Sequence, residues 1–199
     1  RSFVLQNMLN TPKATWGIQD LAKARAMLYL VRELEDSQFR VIYQPRAGLD
    51  YFSHDQEKAK AQLAAATALM DDVEPGTVRS PSMIHVVAYC EGASLAVPSV
   101  IHESIQITLA AIREYRRLRR EGMIDDMSGH DEVDRRTMEL VKDCRCLLRH
   151  MEASIPDLNT PAGLEKAFRA GFLLVPQLWN CREEFSQAVR HDTRLINGG

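Results

Sequence analysis

The chain has 199 residues, 45% hydrophobic and 26% charged, with a net charge of −2. That is enough chain for one good core, with the composition of a globular protein in water. It gives no general electrostatic reason to bind nucleic acid or an anionic membrane, and no apolar run approaches the roughly 20 residues that span a bilayer. Arg1-Ser-Phe-Val-Leu5 has neither an initiator Met nor a signal-peptide layout, and Asn197-Gly-Gly199 reads as the middle of a loop. Both ends are therefore expected to be cuts in a longer chain.

The first helix is expected over about 16–35, where Leu21, Ala24, Met27, Val31 and Leu34 recur at helical spacing. Residues 1–10 read as the end of an earlier helix, broken at Thr11-Pro12. Phe39–Gln44 follows as a short strand, β-branched and aromatic through Val41, Ile42 and Tyr43. Pro45, which has no amide donor, is expected to end its pairing. Gly48 is expected to allow the turn that follows. Arg46 then stands as a permanent cation just past the carboxyl end of a strand, where α/β proteins bind ligands.

Ser53-x-x-Gln56 has the capping-box pattern and is expected to open a second helix, with Ala59, Leu63, Ala66 and Met70 inward. Its end carries Asp71, Asp72 and Glu74 before Pro75-Gly76. Acids there oppose the helix dipole, so they are either a solvated loop or a site met by a cation from outside. Met83–Tyr89, apolar except for His85, reads as a second strand buried on both faces. A helix between two such strands makes a right-handed βαβ unit, and Tyr89-Cys-Glu-Gly-Ala-Ser94 is its second strand-end loop.

Pro98 suits the first turn of a third helix reaching Glu121, with Ile101, Ile105, Leu109, Ile112 and Tyr115 as the buried stripe. Arg113, Arg116, Arg117 and Arg120 share another face. They admit a basic patch, but interleaved acids at Glu114, Glu121, Asp125 and Asp126 favour a solvated face. A fourth helix is expected from Ser128-x-x-Asp131 to about Ala153, with Val133, Leu140, Val141, Cys144, Leu147 and Met151 inward. Thr160-Pro161 starts a short helix ending at Gly171, Phe172–Pro176 is extended, and Asn180-x-x-Glu183 begins a last helix carrying Phe185 and Val189.

Two interior strands need neighbours on each edge. The expected fold class is therefore α/β and helix-rich: part of a TIM-type β/α barrel with two or so parallel strands, followed by a helical extension. Residues 1–125 would be the partial barrel units and 126–199 the extension packed on them.

Cys90, Cys144, Cys146 and Cys181 show no zinc or redox spacing. Cys144 and Cys146 would point about 200° apart on one helix. All four read as free thiols of a reducing, cytoplasmic compartment. No G-x-G-x-x-G, P-loop, G-x-S-x-G or H-E-x-x-H motif is present, and the six histidines offer no metal-ligand pair. What remains is the strand-end loops. Arg46 has the geometry to clamp a carboxylate or phosphate, or else pairs with Asp50 or Asp72 to fix its loop. Glu91 is either a base or amine partner, or a helix-entry carboxylate. Tyr43 and Tyr89 either stack on a planar ring or fill core, and His85 reads as a satisfied core residue.

Gln44-Pro-Arg-Ala-Gly-Leu-Asp-Tyr-Phe52, Leu63-Ala-Ala-Ala-Thr-Ala-Leu-Met-Asp-Asp72 and Ile84-His-Val-Val-Ala-Tyr89 resemble the barrel portion of D-ornithine aminomutase large subunits. The lysine aminomutases are more distantly similar. The resemblance extends to Phe172-Leu-Leu-Val-Pro176. It implies an isomerase that uses adenosylcobalamin and pyridoxal phosphate in a radical shift of an amino group between adjacent carbons of a basic amino acid. It also implies that the barrel supplies substrate and pyridoxal phosphate contacts, that a cobalamin-binding domain and a small subunit are its partners, and that the protein is an oligomer. Arg46, Gln44 and Glu91 would face the substrate, and Tyr89 and Tyr43 the cofactor. The family's Asp-x-His-x-x-Gly motif is missing here, and none of the six lysines has a defensible Schiff-base context. This stretch alone is thus expected to be inactive, with the motif encoded beyond Gly199. Two other readings stay open: a non-catalytic helical scaffold, and a piece of another barrel isomerase or lyase.

Overall fold

A computed structural model of the chain describes residues 1–11, 15, 17–74, 80–124 and 127–190. Pro12, Trp16, Pro75, Gly76, Asp125, Asp126 and 191–199, on which some of the expectations fall, lie outside them. The chain divides into two compact units, Arg1–Leu140 and Val141–Ile196. The protein is mixed α/β and rich in helix, with a two-stranded parallel sheet among the described residues.

The first unit opens with strand β1, Ser2–Leu9, where the sequence suggested the end of a helix. Leu5, Asn7 and Leu9 are buried while Val4, Gln6 and Met8 are exposed, which is the period of two that a strand requires. Helix α1, Gly17–Arg32, follows and buries Leu21, Ala24 and Leu28. Strand β2, Arg40–Ala47, then pairs parallel to β1 with Phe3 opposite Val41 and Leu9 opposite Ala47.

Pro45 does not end this strand. Both polar backbone groups of a strand residue point to the same edge, and the Pro45 carbonyl accepts from His85 N at 3.1 Å. The missing Pro45 donor therefore falls on the edge away from β1, where the ladder does not need it. As a result Arg46 lies inside β2 rather than beyond it. Gly48 is required for another reason than its turn: its φ is an ordinary −74°, but a Cβ there would lie 1.9 Å from Thr11 Oγ1.

Helix α2, Gln56–Asp71, is capped by Asp55, which accepts from Lys58 N, and not by Ser53. The capping-box glutamine is replaced in effect by Gln62, which accepts from Ser53 N and donates to the Tyr51 carbonyl. Ala59, Leu63, Ala66 and Met70 face the core with Leu5, Leu9, Tyr43 and Phe52. Met83–Tyr89 forms no strand. It runs extended beside β2 with the single His85–Pro45 backbone bond, buried only from Val87 on.

Helix α3, Pro98–Arg120, packs on α2 through small residues, burying Ser104 and Thr108. The first part of the expected inward stripe is turned outward, with Ile101 45% and Leu109 57% exposed, while Ile112 and Tyr115 are half-buried. Asp71 and Asp72 explain the rotation. Both are buried, and they draw in Arg116 and Arg119 from about the last turn of the helix. Arg116 Nε lies 2.7 Å from Asp71 Oδ1 and Arg119 Nη1 3.1 Å from Asp71 Oδ2, while Arg119 also pairs with Asp72. The acids thus meet cations of their own chain, and neither the solvated-loop nor the outside-cation reading holds. Arg25 on α1 ties the same corner to the start of helix α4, Asp131–Ser154, through the Asp72, Val73 and Ser128 carbonyls and Asp134.

In the second unit, α4 buries Val141 and Met151, whereas Cys144 and Leu147 are exposed. Helix α5, Pro161–Arg169, begins at Thr160, whose Oγ1 accepts from Gly163 N at 3.0 Å. Met151, Ile155, Leu158 and Ala167 form its core. The expected last helix is absent; 176–181 is a short 3-10 turn, and Ala188 is held by its carbonyl to Val175 N.

Candidate functional site

The sheet has two unlike faces. Helices α1 and α2 cover one, where Tyr43, Pro45 and Ala47 are buried. On the other, the parallel register sets Gln6 opposite Gln44 and Met8 opposite Arg46. Parallel sheets are normally covered on both faces by apolar residues, so a face carrying two amides and a guanidinium departs from the rule. His85 joins them, because its backbone bond to Pro45 holds it alongside β2.

The polar groups are connected. The Gln6 amide nitrogen lies 2.8 Å from Gln44 Oε1 and 3.1 Å from His85 Nδ1. Gln44 Nε2 in turn donates to Met83 Sδ at 2.8 Å. Arg46 Nε donates to the Ala47 carbonyl at 3.3 Å, and among the described residues its guanidinium enters no ion pair. The alternative pairing with Asp72 is ruled out by that residue's engagement with Arg119 and Tyr115. A half-buried arginine with unspent donors two residues from an ordered amide suits a planar anion such as a carboxylate.

Glu91 stands elsewhere. Beyond the carboxyl end of β2, the turn Leu49–Tyr51 and the Glu91-Gly92 loop meet around a cavity of about 980 Å³. Its lining includes Asp50, Tyr51, His54, Lys58, Gln62 and Glu91. Gly92 allows the approach, since a Cβ there would stand 3.2 Å from the Leu49 carbonyl. Glu91 Oε1 accepts from Ala88 N at 2.9 Å, the role of a carboxylate at a turn. Burial and the Asp20 carboxylate push the Tyr51 phenol up. The turn after β2 and the Glu91-Gly92 loop thus meet, but without Arg46 or Gln44, and Glu91 follows no strand.

Tyr43 and Tyr89 are in neither place. Tyr43 is 2% exposed in the core, its hydroxyl 3.3 Å from Asn7 Oδ1, and burial pushes its phenol up. Tyr89 is 3% exposed; it donates to Glu103 Oε2 at 2.6 Å, and that bond with burial raises its phenol. Lys60 covers the Tyr89 ring at 5.3 Å while bonding Glu103 at 2.8 Å. Neither ring face is open for stacking, so both take the core-filling role. Sequence reasoning missed Gln6 and Lys58 and treated His85 as core. Gln6 carried no signal, because its place depends on the β1–β2 register.

Among the described residues no cluster of His, Cys, Asp and Glu is arranged to hold a metal, and no helix is long and apolar enough to cross a membrane. Comparison of the chain with protein-family models, with curated proteins and with solved structures finds no match in any of the three.

Proposed function

We propose that the chain is the barrel portion of an adenosylcobalamin- and pyridoxal-phosphate-dependent aminomutase that shifts an amino group in a basic amino acid such as D-ornithine. Its own part is to hold the substrate. The observation that carries this reading is the open face of the parallel sheet. In a β/α barrel the face away from the helices lines the lumen, and residues near the carboxyl ends of the strands reach the substrate. Gln44 and Arg46 stand near the carboxyl end of β2 on the face away from α1 and α2, which supports this reading. Arg46 grips the substrate carboxylate, and the amide of Gln44 flanks it.

The residues present do not fit pyridoxal phosphate. Both tyrosines proposed to stack on it are buried with engaged hydroxyls, so the cofactors belong to parts of the enzyme outside these residues. The chain contributes position and electrostatics, which are worth most in a closed, water-poor lumen.

The experiment is isomerisation of D-ornithine by the parent protein supplied with both cofactors. Arg46→Ala should lower kcat/KM at least tenfold. A parent that isomerises no diamino acid, or whose gene lacks an Asp-x-His-x-x-Gly motif, would sink the assignment. The scaffold reading draws on one observation, the outward stripe of Ile101, Ile105 and Leu109 on α3, continued by Val97 just before it. A stable cofactor-free complex with a helical protein through that stripe would favour it.

A further inference from the structure

His85 was read from the sequence as a core residue, yet its ring is half-buried on the open sheet face and bonded by a side chain of the opposite strand. The nature of that bond decides what the ring presents. The Gln6 amide nitrogen has two protons; one goes to Gln44 Oε1 at 2.8 Å and the other faces His85 Nδ1 at 3.1 Å. The orientation of Gln6 is fixed in turn by Gln44, whose own amide nitrogen is directed at Met83 Sδ. With the Gln6 amide nitrogen facing Nδ1, that ring nitrogen has the acceptor role and Nε2 is left to donate.

Position completes the argument. The His85 backbone sits against Pro45, between Gln44 and Arg46. Residues two apart on one strand face stand about 7 Å from each other. That backbone bond sets His85 alongside the stretch of β2 that carries Gln44 and Arg46. No other described group claims Nε2.

We propose that His85 is a second anion-recognition residue of the open face, donating Nε2–H beside Arg46 to the carboxylate of the ligand. Gln6 is the positioning residue that holds the imidazole in the donating tautomer. This rests on the reading of the open face as the substrate side of a barrel. A guanidinium and a ring N–H donor match the two oxygens of one carboxylate, and they give the ligand's anionic end a fixed orientation across the strands.

The test uses the parent protein with two probes, D-ornithine and 1,4-diaminobutane, which lacks the carboxylate. Nitrogen NMR of the His85 ring should report the Nε2–H tautomer, and Gln6→Leu should convert it to a mixture. His85→Ala should weaken D-ornithine binding about tenfold or more and leave diaminobutane unchanged. His85→Gln, whose amide nitrogen can take the place of Nε2, should restore binding to within about threefold. D-ornithine binding that is lost in Arg46→Ala but unchanged in His85→Ala overturns the role of His85 alone. An Nδ1–H tautomer overturns the positioning role of Gln6. If the wild-type parent protein binds no D-ornithine, the substrate-face reading falls as well.

Discussion

Replacing Arg116 by Ala should cost far more than the loss of a helix-surface arginine. Asp71 is 3% exposed at its side chain and accepts from Arg116 at Nε and Nη2 and from Arg119 at Nη1. Arg116 also holds the Ser80 carbonyl at 2.9 Å. Removing one partner of a buried pair costs about 3–5 kcal/mol, because the remaining charge stays desolvated. Here Arg119 still faces Asp71, and Arg116 is 30% exposed, so the lower end, about 3 kcal/mol, applies. Native-state hydrogen exchange of the α2 amides reads the first unit by itself. Protection of its most stable amides should fall about 150-fold, since each 1.4 kcal/mol is a factor of ten. Asp71→Asn combined with Arg116→Ala should cost less than the sum of the two singles. A loss under about 0.5 kcal/mol, the scale of an exposed pair, or strict additivity, would refute the claim that this network joins α2 to α3.

Gly48→Ala should destabilise the first unit by about 1–3 kcal/mol through overpacking against Thr11 Oγ1. Thr11→Ala in the same chain should recover most of that in urea melts. The Glu132 carboxyl, held at about 2 by hydrogen bonds from Arg135 and then Arg136, should titrate in carbon NMR well below the ordinary carboxylate range. A depressed native value means its contribution is present above the unfolded carboxylate value and lost as pH falls toward 2. Arg135→Ala together with Arg136→Ala should return the titration to the usual range, and an unchanged curve would contradict the assignment. Three thiols, Cys144, Cys146 and Cys181, are exposed and should react at once with a thiol reagent, whereas Cys90 is buried and should react only on unfolding.

Local pattern revealed some of this fold and long-range pairing hid the rest. The stripe of Leu21 and Ala24 and the face of Leu63, Ala66 and Met70 report their own burial, because a helix pattern is written within a few turns. β1 was obscured by Asn7, a polar residue on its buried side that breaks the apolar alternation. Met83–Tyr89 has the composition of a strand, but pairing is a property of two segments, and only His85 makes a ladder bond. On α3 the apolar stripe was legible and its direction was not, since Asp71 and Asp72 turn the helix through contacts some 45 residues away. The same limit governs the site. Arg46 and Gln44 announce themselves at the end of a β-rich run, but the face they share with Gln6 and His85 follows from the register alone.

The central claim is that the open sheet face is a substrate surface, and titrating the parent protein with D-ornithine while following side-chain and backbone resonances tests it most directly. Saturable shifts should concentrate on Gln6, Gln44, Arg46 and His85. Shifts confined to the rim cavity of Leu49–His54, Lys58 and Glu91, or none up to millimolar ligand, would contradict it.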